Sequence, residues 1–245
     1  MIHTIWNAII YQPLYNAMAI FVNISPAHSL GIAIVALTVL VKIILYPSSK
    51  KSAISQIKMK ELALELAQIK KDFPDKKEQA TKTMELYKKN KINPFSGFVP
   101  ILIQIPIIIG LYMVFRSGLD FKNTLYPFVH APISVNSNFL WIIDLGRKSL
   151  VLAVLVGVSQ MIQGRLMPKA DTGAGVDKNS FQHQMSKSLS IQMKYVLPIF
   201  IGFISYSLPS AIALYWLTSN IFGIFQQRYF NKKFITKHSN QNSTA

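Results

Sequence analysis

The sequence predicts an all-α polytopic membrane protein: a five-transmembrane-helix core with an N-terminal interfacial helix and a cytoplasmic two-helix hairpin. Three observations predict it. Five long apolar runs recur, at residues 30–46, 98–115, 150–167, 195–208 and 211–225. The 245-residue chain is 51% hydrophobic and only 15% charged, where a soluble domain carries about 25% charged residues. Its net charge of +16 is segregated into alternate connecting segments, as expected when Lys and Arg gather on one side of a bilayer.

Residues 1–29 contain no Lys, Arg, Asp or Glu. Ile5, Ile9, Ile10, Leu14, Met18 and Phe21 form an apolar face, and Trp6, Tyr11 and Tyr15 suit the membrane–water interface. The segment lacks the basic start and small-residue cleavage site of a secretory signal, and its Asn and Gln residues favour an interfacial helix over a sixth span. Span one, 30–47, carries a single charge, Lys42, and stops at Pro47. At about 1.5 Å per residue it just reaches across a hydrocarbon core of about 30 Å with help from its polar ends.

The segment 48–92 has a different character. Leu62, Leu66, Ile69 and Phe73, then Ala80, Met84 and Tyr87, recur at helical spacing. Asp72-Phe73-Pro74-Asp75 breaks the pattern, because a residue before proline avoids helix. Two amphipathic helices in a basic hairpin result, and such a hairpin between spans sits near anionic headgroups. It has none of the aromatic interleaving of a nucleic-acid binder, so no specific nucleic-acid partner is expected.

Span two, 93–116, is followed by an external loop, 117–149, and span three, 150–167. A Gly-, Ser- and Asn-rich cytoplasmic loop, 168–194, leads to span four, 195–208, span five, 209–230, and a tail, 231–245. Nineteen of the 26 Lys and Arg residues fall in the hairpin, the 168–194 loop and the tail, and Arg165 and Arg228 at the adjoining ends of spans three and five bring that side to twenty-one. The N-terminus is therefore expected outside and the C-terminus in the cytoplasm.

Several chemistries find no residues to carry them. Cys is absent, and none of the five His falls within a span. There is no H-E-x-x-H and no phosphate-binding Gly-x-x-x-x-Gly-Lys loop. The acids outside the hairpin, Asp120, Asp144, Asp171 and Asp177, all fall in loops. No metal, nucleotide or other cofactor and no enzymatic activity are expected. The positive signal is Lys42. A Lys within a span needs polar surroundings or a route to the headgroups, and its position allows both. Gln104, Gln160, Gln163, Tyr206, Thr218, Ser219 and Asn220 also lie within spans. Each alone fits an interhelical hydrogen bond; together with Lys42 they would line a hydrophilic groove without an acid.

Ordered motifs resemble the YidC/Oxa/Alb family of membrane protein insertases from about residue 13 to 230. They are Pro13-Leu14-Tyr15-Asn16; Lys42 with Tyr46-Pro47; Glu85-Leu86-Tyr87-Lys88 with Asn93-Pro94 and the Pro100 to Pro106 block; Phe139-Leu140-Trp141-Ile142 with Asp144-Leu145; and Leu208-Pro209-Ser210, Leu214-Tyr215-Trp216 and Ser219-Asn220 with Gln226-Gln227. The resemblance implies a bacterial inner-membrane insertase and chaperone that moves hydrophobic segments of nascent proteins into the bilayer without nucleotide hydrolysis. It implies a groove open to cytoplasm and lipid, which we assign to Lys42, Gln104, Gln160, Gln163, Tyr215, Thr218 and Asn220. It further implies a substrate-receiving hairpin, assigned to Lys58, Glu61, Glu65, Met84 and Tyr87. Partners implied are nascent membrane proteins, the lipid bilayer, the Sec translocon and the ribosome, although the tail carries only Lys232, Lys233 and Lys237. The family usually has Arg where this chain has Lys42, which keeps the charge and loses the guanidinium fork. A small channel and a structural subunit of a membrane complex are the alternatives.

Overall fold

The computed structural model describes residues 2–93, 96, 99–117, 121, 125–166 and 195–235; the expected loop 168–194 and the last ten residues of the expected tail lie outside the described residues. The chain is mostly helical: α1 (Ile2–Trp6), α2 (Gln12–Ile24), α3 (Leu30–Ile44), α4 (Tyr46–Glu61), α5 (Ala63–Asp72), α6 (Lys76–Lys89), α7 (Val99–Arg116), α8 (Leu150–Leu166), α9 (Leu197–Ser207) and α10 (Ser210–Phe230). A π-helical turn, Asn7–Tyr11, joins α1 to α2, and another, Asn231–Ile235, extends α10. Two units divide the chain. The first is Met1–Leu45, Ile101–Gln160 and Pro198–Gly223; the second is Tyr46–Pro100, Met161–Leu197 and Ile224–Ala245.

In the first unit, α2 packs along α3. Pro13 sits in the first turn of α2, where a missing N–H costs nothing. Tyr15, Met18, Ala19 and Val22 of α2 meet Leu30, Ile34 and Leu37 of α3, Leu111 and Val114 of α7, Val156 of α8 and Tyr215 of α10 in one apolar core. The Ser29 hydroxyl caps α3 by accepting from the Ile32 N–H. The helix stops at Leu45, ahead of Pro47, whose nitrogen cannot donate to the Ile43 carbonyl.

The helices of this unit also present apolar faces outward. Leu102, Ile105 and Ile109 of α7, Val151, Val154 and Val158 of α8, and Ile199 and Phe203 of α9 are all exposed. Where α8 meets α9, Gly157 and Gly202 face each other; a Cβ on Gly202 would lie 3.6 Å from the Gly157 Cα. Such close backbone approach is the use of small residues between apolar helices.

The segment between α7 and α8 ties the helix ends together. Leu30 N–H donates to the Asn136 carbonyl (2.9 Å), Ser210 N–H to that of Arg147 (2.8 Å) and Ala211 N–H to that of Leu145 (3.0 Å). Asn16 accepts from the Tyr126 N–H at 2.7 Å, and the Asn23 amide donates to the His130 carbonyl at 2.7 Å. Within it, β1 (Asn138–Phe139) and β2 (Ile143–Asp144) pair antiparallel, Asn138 opposite Asp144 and Phe139 opposite Ile143. Leu140 and Trp141 at the turn have φ of 52° and 59°, and Trp141 is 92% exposed. The Phe139 ring lies against Gly31, where any side chain would strike it.

In the second unit, α5 and α6 pack against each other. The break between them is Phe73-Pro74-Asp75, and Asp75 caps α6 by accepting from the Glu78 N–H at 3.0 Å. The rings of Phe230, 1% exposed, and Tyr46 meet at a tilt of 50° with centroids 5.6 Å apart, and Asn231 donates to the Leu166 carbonyl at 3.1 Å.

Among the described residues, no single helix is long and apolar enough to cross a membrane; α3 and α4 pass that test only as a broken pair. The reasons differ. The 15-residue α3 and 11-residue α9 are short. The 21-residue α10 has the length, about 32 Å at 1.5 Å per residue, but carries Thr218-Ser219-Asn220 and Gln226-Gln227-Arg228.

Candidate functional site

The expected groove residues of the first unit, and the polar groups bonded to them, fall on α3, α7, α8 and α10. Tyr215 is 1% exposed, and its hydroxyl oxygen accepts from the Gln104 amide at 2.5 Å, joining α10 to α7 across 111 residues of sequence. Gln104 is half-buried. Asn220, 4% exposed, donates to the Ser159 hydroxyl at 3.0 Å and reaches the Val156 carbonyl at 3.4 Å, joining α10 to α8. Ser159 in turn donates to the Val156 carbonyl at 2.9 Å. Thr218 turns its hydroxyl back to the Leu214 carbonyl at 2.8 Å, and Thr38 does the same to Ile34 at 2.6 Å. Gln160 is half-buried on α8.

Lys42 stands apart. It is half-buried, one turn beyond the fully buried Thr38, at the edge of the face that α3 turns to the core. Ile32, Leu40 and Ile43 mark the opposite, exposed face. Among the described residues no hydrogen bond or ion pair engages Lys42. The arrangement therefore holds one positive charge and a half-buried amide beside a network whose other polar groups are satisfied internally. No group of His, Asp or Glu side chains that could hold a metal ion occurs among the described residues.

Of the expected groove residues, the structure pairs Gln104 with Tyr215. It gives Asn220 a partner that sequence reading missed, Ser159. Gln163 belongs to the second unit, half-buried. The hairpin residues also lie in the second unit: Lys58 half-buried on α4, Glu61 and Glu65 exposed, Met84 44% exposed on α6, and Tyr87 half-buried. Burial pushes the Tyr87 phenol above its ordinary pKa. Lys82 pairs with Glu85 at 2.9 Å, which raises the Lys82 pKa by hydrogen bonding and charge, and its ammonium lies 6.0 Å from the centre of the Phe73 ring.

The chain is helical and largely apolar, with outward-facing apolar helix surfaces and a half-buried Lys42 that has no partner among the described residues. Residues 21–238 match the family described as 60Kd inner membrane protein, and the chain belongs to that family. Relatives named membrane protein insertase YidC include one from Fusobacterium nucleatum, 36% identical over 228 residues, covering 91% of this chain and 98% of the relative. One from Oceanobacillus iheyensis is 31% identical over 242 residues, covering 95% and 86%. A longer relative from Methylobacillus flagellatus is 32% identical over 230 residues, 93% of this chain but only 36% of its own length. A crystal structure of an active YidC insertase with its first transmembrane domain resolved aligns at a TM-score of 0.58 and 23% identity. It covers 89% of this chain and 45% of that one, a likeness of fold.

Proposed function

We propose that this chain is a multi-pass inner-membrane insertase that moves hydrophobic segments of nascent membrane proteins into the bilayer through a polar groove, without nucleotide hydrolysis. The observation that carries the reading is Lys42, a half-buried cation on an apolar helix with no partner among the described residues. A hydrophilic, acidic segment of a substrate supplies that partner. Gln104 hydrates or hydrogen-bonds the passing chain, while Tyr215, Thr218 and Asn220 hold the wall behind it; Gln160 and Gln163 extend the polar line along α8. Transfer of the substrate's apolar helix into lipid drives the process, at about 1.5–3 kcal/mol per large apolar side chain leaving water.

The outward Leu102, Ile105, Ile109, Val154 and Val158 support a lipid-facing surface, and the short α3 and α9 favour a locally thinned bilayer. The tied segment at Leu30, Asn136 and Ser210 supports closure on the external side, with the N-terminus outside and the C-terminus cytoplasmic. The α5–α6 pair, with Lys58, Glu61, Glu65, Met84 and Tyr87, serves as the receiving surface, and the Sec channel and ribosome are its proposed assembly partners. The test is complementation of insertase-depleted cells with a substrate bearing an acidic external tail. Lys42→Arg is expected to support growth, Lys42→Ala to slow insertion, and Lys42→Glu to block it. Full activity of both Lys42→Ala and Lys42→Glu refutes the role given to Lys42.

A further inference from the structure

A second concentration of positive charge lies in the second unit, at the root of α4. Ser52 donates to the Ser96 carbonyl at 2.5 Å and Ser55 to the Asn93 carbonyl at 3.2 Å, fastening α4 to the segment that precedes α7. Between them lies a cleft of about 460 Å³ lined by Lys51, Lys58, Lys91, Ser48, Ser55 and Ser96 among others, with no Asp or Glu among the described lining residues. That volume is within the range of about 300–1,000 Å³ for small-molecule sites. The Ser96 hydroxyl is buried and has no hydrogen-bond partner among the described residues, and Ser96 is only 7% exposed. A buried hydroxyl without a partner is unusual and wants an occupant.

Lys91 lines the same cleft. It follows α6 with φ of 53°, its N–H bonding back to the Lys88 carbonyl and that of Ile92 to Tyr87. This is the closing turn of a helix at a position where glycine is the comfortable residue. Three ammonium groups and the hydroxyls of Ser48 and Ser96, with no competing carboxylate among the described lining residues, match a tetrahedral phosphate oxyanion.

We propose that this cleft binds the phosphate of an anionic lipid headgroup. The lipid is favoured over a soluble phosphate because Ser48, Lys51 and Ser52 lie in the first two turns after apolar α3, and Ser96 and Val99 lie where apolar α7 begins. Those are the ends of membrane-embedded helices, where headgroup phosphates lie. The proposal rests on the membrane placement given above and is read out by binding, not insertion, so the two fail separately.

The experiment uses the purified full chain in detergent, with retained phosphatidylglycerol or phosphatidylcholine counted by native mass spectrometry. Variants are the triple Lys51→Gln, Lys58→Gln, Lys91→Gln, its triple Arg counterpart, Ser96→Ala, and a charge-matched control, Lys71→Gln, Lys76→Gln, Lys77→Gln. Phosphatidylglycerol retention is expected to fall roughly tenfold or more in the cleft triple, to survive in the Arg triple and the control, and to weaken in Ser96→Ala. Equal losses in cleft and control triples, or none in the cleft triple, would overturn it. Displacement of phosphatidylglycerol by millimolar inorganic phosphate would overturn the lipid as the source of the bound phosphate. Retained secondary structure by circular dichroism guards against misfolding, and the Arg triple keeps the proposal open to refutation if the Gln triple fails to fold.

Discussion

Removing one hydroxyl, in Tyr215→Phe, tests whether the Gln104 side of the site is wet. The Tyr215 ring is part of the apolar core, so Phe keeps the packing and deletes only the acceptor of the 2.5 Å bond from Gln104. The two partners are unequally buried: Tyr215 is 1% exposed, whereas Gln104 is half-buried. After Tyr215→Phe, a Gln104 amide facing a hydrated groove rebinds water, and the loss is the net value of one hydrogen bond, about 0.5–1.5 kcal/mol. After Gln104→Leu, the Tyr215 hydroxyl has no water within reach, and the loss includes the cost of an unsatisfied buried group, about 1–3 kcal/mol. In the double variant neither polar group remains, so its loss falls below the sum of the two singles. The assay is reversible unfolding in mixed micelles, followed by fluorescence of Trp216, which adjoins Tyr215 in sequence and is half-buried. Strict additivity in this cycle, or a Tyr215→Phe loss as large as that of Gln104→Leu, refutes the wet-groove reasoning.

Three further outcomes are expected. At Gly157 a Cβ would meet the Pro198 carbonyl oxygen at 3.5 Å, an ordinary contact, so Gly157→Ala leaves the unfolding midpoint nearly unchanged while Gly157→Leu overpacks α8 against α9 and costs about 1–3 kcal/mol; equal effects of the two would contradict the close approach. At the external turn Leu140 has φ of 52° and is exposed, so Leu140→Gly relieves left-handed strain of about 1–2 kcal/mol and raises thermal stability in detergent; a lower midpoint would mean that the leucine's own contacts outweigh the strain. For Tyr87, burial raises the folded-state pKa above 10.0, so its contribution is complete below the unfolded value and is lost as pH climbs through the folded one. Stability measured from pH 9 upward should fall for the wild type by more than for Tyr87→Phe, and parallel curves would remove Tyr87 from the alkaline loss.

The sequence exposes its helix ends where a single residue forces them. Pro47 ends α3 because it cannot donate, and Asp75 opens α6 because its carboxylate can accept. Both effects act within four residues and are readable without a structure. The pairing of Gln104 with Tyr215 spans 111 residues and leaves no local trace. The same holds for Asn220 and Ser159: the serine looks like any small polar residue on an apolar helix until α10 lies against α8. The two-residue strands at Asn138–Phe139 and Ile143–Asp144 were equally hidden. Their turn uses Leu140 and Trp141, where glycine and asparagine are the usual signals. The membrane expectation rested on runs of apolar residues, and two of them, 30–46 and 195–208, fold as helices shorter than the run, the 15-residue α3 and the 11-residue α9. With α10 long but too polar, no single described helix meets the spanning test.

The remaining contrast sets four bonded polar residues of the first unit against Lys42. Thr38, Thr218 and Ser159 each donate back to a carbonyl of their own helix, while Asn220 donates across to Ser159, a bond between helices of the kind that adds about 1 kcal/mol or less. These groups need no function beyond satisfying themselves and holding α10 against α8. Lys42 has no such bond, and a charge near the centre of a spanning helix costs about 2.5–3.5 kcal/mol on insertion scales. Its place near the end of α3 lowers that cost but leaves it without compensation from its neighbours. If the lysine served stability alone, leucine would serve better. Lys42→Leu should therefore stabilise the purified protein while impairing insertion of an acidic-tailed substrate. A variant that is both less stable and fully active would show Lys42 to be part of the scaffold, and the acidic passing segment would lose its binding site.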